Sequence, residues 1–299
     1  MGTYYQVTAR CPEDVGSAIE QTLRTVNAEM STYDPGSDLS RFNRAPAGAW
    51  VAVPEPLVEV VAAADVLSRA SAGAFDVTVG PLVNLWGFGP EDATGVPSAP
   101  EVTATLEAIG HQNLELRHAP PALRKARQLY VDLSAIAKGH GVDRVVARLA
   151  AAGCDAMLVD IGGEVRGVGR NPSQQAWRVG VEVPDPSRVG NIQRVVAISD
   201  AAIATSGDYR NFREAGGRRF SHTIDPRTGY PVSHGLASVS VVHQSAMWAD
   251  GYATSINVLG PEEGLEFARR HELAVMLVVR GADGFEERYT PQFEAVLLD

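Results

Sequence analysis

Asp250 and Thr254 stand four residues apart in the stretch MWADGYATSINVLG. On a helix that spacing projects both side chains from one face, one above the other. A carboxylate and a hydroxyl so placed form a hard-oxygen pair suited to Mg²⁺ or Ca²⁺. The same spacing also fits a capping Asp followed by an alcohol bonded back to its own helix. Two ligands alone do not close a metal site. In VDLSAIAKGHGVDRV a short strand is expected to end in Asp132, a turn of small residues follows, and Lys138-Gly139 stands where a helix begins. Backbone N–H groups at a helix start face an anion, with the Lys138 ammonium beside them. The alternative is a solvated lysine and a glycine that serves the loop alone. The Gly-x-x-x-x-Gly-Lys order of a P-loop is absent.

Three further stretches carry candidate chemistry. DIGGEVRGVG has the wrong glycine spacing for a dinucleotide fingerprint, and strand-like Val165-Arg166 follows where a helix would be needed. Its glycine pair suits either a close backbone approach or a bulge. ATSGDYRNF places hydroxyls, Ser206 among them, on a glycine turn after a strand. FSHTIDPRTGYPVSH has turn chemistry at Asp225-Pro226-Arg227-Thr228-Gly229, which would hold His222 in place. A lone histidine is more often structural than catalytic, and His234 has no further feature to set it apart.

The elements that would position these residues follow from periodicity. Apolar stripes predict helices over 13–30 and 57–67, and Ser98-x-x-Glu101 reads as a capping box opening a short helix. Further helices are expected at 139–152, 247–258 and 261–271. Strands are expected at the N-terminus, where Tyr5, Val7 and Ala9 alternate, and at 156–159, 177–183, 195–198, 202–205, 236–243 and 274–279. Helices gathered early and strands gathered late indicate an α+β fold with mixed, largely antiparallel sheets flanked by helices. Residues 87–99, rich in Gly and Pro, read as a surface loop.

Composition bounds the function. The 299 residues carry a formal net charge of −10 without a basic cluster, so electrostatic binding of nucleic acid is not expected. An acidic chain that binds a phosphorylated ligand needs local help from a metal, a lysine or backbone N–H groups. No stretch approaches the length of a transmembrane helix, which suggests a soluble protein. Cys11 and Cys154, the two cysteines, lack metal-ligand spacing and read as buried free thiols before a disulfide.

Taken in order, MGTYYQV, MSTYDPGSDLSRFN, GAFDVTVGPLVNLW, VDLSAIAKGHGVD, DIGGEVRGVG, ATSGDYRNF, SHTIDPRTGYPV and WADGYATSINVLG resemble the FAD:protein FMN transferase (ApbE) family, from Met1 to at least Gly260. The resemblance implies one domain over 1–299, divisible into two subdomains around a FAD cleft. It implies Mg²⁺ and transfer of the FMN half of FAD to a threonine or serine hydroxyl of a target flavoprotein, with AMP released. Targets of such proteins include subunits of membrane redox complexes. Alternatives are hydrolysis of FAD to FMN and AMP, non-catalytic FAD binding, and a structural lipoprotein domain without ligand. Residue by residue, the family pattern places Asp250, Thr254 and the main-chain carbonyl of Ala135 on the metal. It places Met30, Ala74, Phe75, Asp76, Asp132, Lys138, Ser206 and Ile224 against FAD. It assigns His222 as the base that activates the acceptor hydroxyl, and Lys138 to charge developing on the leaving group. Glu164 departs from the pattern, which commonly has Asn there; such a carboxylate is tolerable near a pyrophosphate only if it faces the metal or solvent. Many family members are exported to the periplasmic face and lipid-anchored at a cysteine, here expected ahead of Met1-Gly2-Thr3 in the full-length protein.

Overall fold

The computed structural model describes residues 2–89, 95–188, 190–208, 212–215, 217–282 and 284–298. Met1, the 90–94 part of the expected surface loop and residues 209–211 of ATSGDYRNF lie outside the described residues. The chain opens with β1 (Tyr5–Arg10) and α1 (Gly16–Met30). Then come α2 (Asp38–Arg44), β2 (Trp50–Ala52), α3 (Glu55–Ala70), α4 (Gly80–Leu85), α5 (Ala99–Leu106), β3 (Leu114–His118) and β4 (Pro121–Lys125). The middle of the chain forms α6 (Ala137–Ala151), β5 (Ala156–Ile161), β6 (Glu164–Val168), β7 (Trp177–Glu182), β8 (Ile192–Ile198), β9 (Ala201–Gly207), β10 (Phe212–Ala215) and β11 (Arg218–Ser221). It ends with β12 (Leu236–His243), α7 (Ala246–Leu259), α8 (Pro261–Arg270), β13 (Ala274–Gly281), β14 (Gly284–Tyr289), α9 (Pro291–Glu294) and β15 (Leu297–Leu298).

Two units emerge. The first comprises Met1–Thr25, Ile136–Arg210 and His234–Asp299. Its seven-stranded sheet has the order β1-β5-β6-β9-β12-β13-β14, with every neighbouring pair antiparallel. In β12, Leu236 to Val241 are all buried, which explains a strand that reads as an apolar run with only small serines interspersed. Helix α6 lays Val142, Val145, Val146 and Leu149 against Met157 and Val159 of β5. A second cluster joins Trp177, Val196 and Ile198 of the β15-β8-β7 sheet to Val165, Met276 and Phe293.

The second unit comprises Val26–Ala135 and Asn211–Ser233. It holds the small sheet β2-β4-β3 and the β10-β11 hairpin. Leu82, Trp86, Val102, Ile109 and Ile224 form a core there. The α+β reading therefore stands.

Three expectations change. Cys11 and Cys154 are joined in a disulfide, so they are not free thiols. Antiparallel β1 brings Arg10 opposite Ala156, and Cys11 lies one residue and Cys154 two residues beyond that pair. Spacing of 143 residues could not have indicated this. Second, no strand ends at Asp132. The segment is extended but held by a side chain: Asn43 donates to the Val131 carbonyl and accepts from its N–H, both at 2.8 Å. Third, the Gly162–Gly163 pair is not a bulge but a two-residue hairpin turn between β5 and β6. Ile161 faces Glu164, and both glycines have positive φ, 65° and 102°, as the turn that follows strand twist demands.

Candidate active site

In the first unit, chemistry gathers where α6 meets α7. Gly139 lies in the first turn of α6, so it is helical rather than a loop glycine. A Cβ there would come 2.2 Å from the Ala246 carbonyl oxygen and 2.8 Å from Met247 Cα. Only glycine permits this approach. One turn later Asp143 caps α7: its Oδ1 accepts from Ala246 N–H at 3.0 Å, and its Oδ2 accepts from Met247 N–H at 3.0 Å and the Ser245 hydroxyl at 2.6 Å. An anion at a helix start is favourable both as a hydrogen-bond acceptor and against the helix dipole. Arg166 pairs with Asp143 in turn.

With the helices so placed, Asp250 turns inward. It is 3% exposed, mid-helix, and its Oδ2 accepts from Gly139 N–H at 3.0 Å. Ser245, not Asp250, is the N-cap, so the capping reading of Asp250 is overturned. Lys138 Nζ lies 3.6 Å from Asp250 Oδ1 and 2.5 Å from Glu164 Oε1. A freely solvated Lys138 is thereby excluded. Glu164 is 2% exposed, so it does not face solvent, and its Oε2 is buried without a hydrogen-bond partner among the described residues. Burial pulls the Lys138 ammonium down, but Asp250 and Glu164 outweigh it and carry its pKa up to about 12. Burial, then the Asp250 charge, push the Glu164 carboxyl up to about 8, with Lys138 opposing. Thr254 follows one turn after Asp250, its Oγ1 3.5 Å from the Ser206 hydroxyl of β9.

The second unit holds the remaining candidates. Asp132 Oδ1 accepts from Ser134 N–H at 2.9 Å and from its hydroxyl, closing the turn before Ala135. Ala74 and Phe75 are buried, and Asp76 accepts from Thr78 N–H and hydroxyl, each at 2.7 Å, and from His111 N–H at 3.0 Å. Met30, at the end of α1, is buried. His222 opens a hairpin-like excursion. Ile224 bridges Pro231, Val232 N–H bonds the Thr223 carbonyl, and Gly229 N–H bonds the Asp225 carbonyl. Asp225 accepts from Arg227 N–H at 2.8 Å and pairs with its guanidinium. Trp86 Nε1 donates to the Gly229 carbonyl at 2.8 Å, anchoring the turn. The His222 ring meets Phe88 edge-on, with centroids 6.4 Å apart. In the first unit, His234 Nε2 lies 2.9 Å from the Asn257 carbonyl.

Asp250, Thr254, Ser206 and Lys138 thus share the first unit; Met30, Ala74, Phe75, Asp76, Asp132, Ala135, His222 and Ile224 belong to the second. Sequence reasoning missed Asp143. Its only signal was a place four residues after Gly139, on the same helical face. Among the described residues no three His, Cys, Asp or Glu side chains cluster in a metal-binding group. A cation here would rely on the mixed set that Asp250 and Thr254 begin. That set is oxygen only, and the unpartnered Glu164 Oε2 beside it suits a hard divalent ion.

Comparison with known proteins gives one consistent answer. Residues 1–277 match the ApbE family. The FAD:protein FMN transferase of Haemophilus influenzae is 40% identical over 98% of this chain and 88% of its own. That of Salmonella typhimurium is 36% identical over 100% and 87%. Among solved structures, the flavin transferase ApbE from Vibrio cholerae superposes with a TM-score of 0.91 at 41% identity, covering 99% of this chain and 96% of that one. The Pseudomonas stutzeri flavinyl transferase ApbE, in its apo form, gives 0.90 at 40%, covering 99% and 94%.

Proposed function

The chain belongs to the ApbE family of transferases, and on that premise we propose that it moves the FMN half of FAD onto a threonine or serine hydroxyl of a target flavoprotein, using Mg²⁺ and releasing AMP. The observation that carries this reading is the buried Asp250, fixed by Gly139 N–H with Lys138 beside it and Thr254 one turn on. An acidic protein repels a pyrophosphate at long range, so it needs concentrated positive charge at the point of reaction.

Asp250 and Thr254 are the metal ligands in this reading, and the Ala135 main-chain carbonyl joins them on the family pattern. A divalent cation supplies charge neutralisation of the pyrophosphate and polarisation of the reacting phosphorus. Lys138 stabilises charge developing toward AMP. Met30, Ala74, Phe75, Asp76, Asp132, Ser206 and Ile224 orient the nucleotide, those with buried side chains through their backbone. A hydroxyl is a weak nucleophile at neutral pH, and His222 takes its proton. An imidazole has the proton affinity for that task. In-line attack then asks the protein mainly for positioning.

Subunits of membrane redox complexes are the target class, and the periplasmic face with a lipid anchor the location. The Cys11–Cys154 disulfide supports an oxidising compartment.

The test combines the protein, FAD, Mg²⁺ and a target domain with an exposed acceptor threonine, and reads fluorescent flavin on the denatured target. Covalent flavin with stoichiometric AMP is expected. FMN and AMP without labelled target would replace transfer by hydrolysis. His222→Ala should bind FAD yet lose transfer by about 10²–10⁴-fold, the range of general-base catalysis; full transfer would remove His222 from its role.

A further inference from the structure

Glu164 has no part in the reading above, yet it is one of the most buried charged side chains of the first unit. The Gly162–Gly163 turn fixes its register at the first position of β6, opposite Ile161. Its Oε1 lies 2.5 Å from Lys138 Nζ, and the same ammonium lies 3.6 Å from Asp250 Oδ1. Two carboxylates therefore share one ammonium. Glu164 Oε2 is left buried and unpartnered among the described residues, a state that proteins rarely keep without a reason.

A divalent cation resolves both features. With Lys138 alone the three side chains carry one excess negative charge when ionised. With a divalent ion on the two carboxylates their charge is balanced, and the lysine becomes surplus. Its four-carbon stem lets the ammonium move while its backbone stays in α6.

We propose that Glu164 is a further ligand of the divalent cation through Oε2, and that Lys138 holds the cation's place between Glu164 and Asp250 until the metal enters. Metal entry then frees the Lys138 ammonium to meet the phosphate groups of the substrate. This rests on the metal reading of Asp250 and refines it. The lysine is a competitor of the metal before substrate binds, and its partner afterwards.

Direct titration with Mn²⁺ in the absence of FAD tests this, with free Mn²⁺ read by electron paramagnetic resonance. Glu164→Gln should weaken Mn²⁺ binding about tenfold or more, the scale seen when a supporting group of a metal site is lost. Lys138→Met should tighten it, because the competing charge is gone. Asp250→Ala should abolish it. Thermal melts confirm that each variant is folded, and Lys138→Met carries the test if Glu164→Gln is not. Wild-type Mn²⁺ affinity in Glu164→Gln, or weakened or unchanged affinity in Lys138→Met, overturns the inference. If Asp250→Ala still loses binding in that case, the metal reading stands without it. No Mn²⁺ binding by any form, wild type included, removes both.

Discussion

Replacing Gly139 by alanine puts the fit of α6 against α7 to a direct test. The new Cβ would sit 2.2 Å from the Ala246 carbonyl oxygen, 2.5 Å from its carbon and 2.8 Å from Met247 Cα. These are backbone atoms, and Asp143 pins the same turn through Ala246 N–H and Met247 N–H, so no side chain can swing away to make room. The helices must separate by about 1 Å to restore van der Waals contact. That strains the Gly139 N–H bond to Asp250. Overpacking costs about 1–3 kcal/mol, and weakening a hydrogen bond to a charged group costs about 1–3 kcal/mol more. Against this, alanine gains about 1 kcal/mol of helix propensity over glycine. The net is a loss of about 1–5 kcal/mol, which for a domain of this size lowers the melting temperature by roughly 2–20 °C. Calorimetry or a circular-dichroism melt reads it. If Gly139→Ala melts at or above the wild-type temperature, propensity has won and the close approach is not what places Asp250.

Two further outcomes concern stability. Opening the Cys11–Cys154 disulfide, by a reductant or by Cys11→Ser with Cys154→Ser, releases a loop with a sequence separation of 143. Chain entropy sets an upper figure of about 5 kcal/mol for such a loop. A melting temperature that does not respond would refute a stabilising role. His140 is buried with Nε2 unpartnered among the described residues. Burial, then Arg144, push its pKa down to about 4 against the pull of Asp143. A folded-state pKa below the unfolded value means stability that is intact above about pH 6.5 and lost as pH falls toward 4, about 2 kcal/mol by pH 5 and about 3 by pH 4. Urea titrations at pH 7 and 5 should show that His140→Leu lacks this part of the decline; an identical decline in the variant would assign it elsewhere.

Much of the site was legible in the chain, because helical spacing is a local property. The Asp250–Thr254 pair, the helix start around Lys138-Gly139 and the Asp225-Pro226-Arg227-Thr228-Gly229 turn each depend on residues a few positions apart. Backbone geometry brings these together without reference to the rest of the molecule. Strand existence was legible wherever burial makes an apolar run, as in β12. It was not legible for β2, β3 and β4, short strands with charged or exposed residues such as Trp50, Glu115 and Arg117, which periodicity does not mark.

Sequence alone therefore determined which residues carry acid, hydroxyl and ammonium groups, and on which kind of element each stands. Only the tertiary structure decided what those groups meet. Glu164 reaches Lys138 because a two-glycine turn folds β6 back on β5. Asp250 is buried because Gly139 lets two helix backbones touch, and Asp143 caps a helix more than a hundred residues away. The disulfide forms because β1 and β5 run antiparallel and bring Cys11 to Cys154. Each of these is a meeting of distant segments, set by packing and chain reversal, and no local pattern encodes the partner across such a gap.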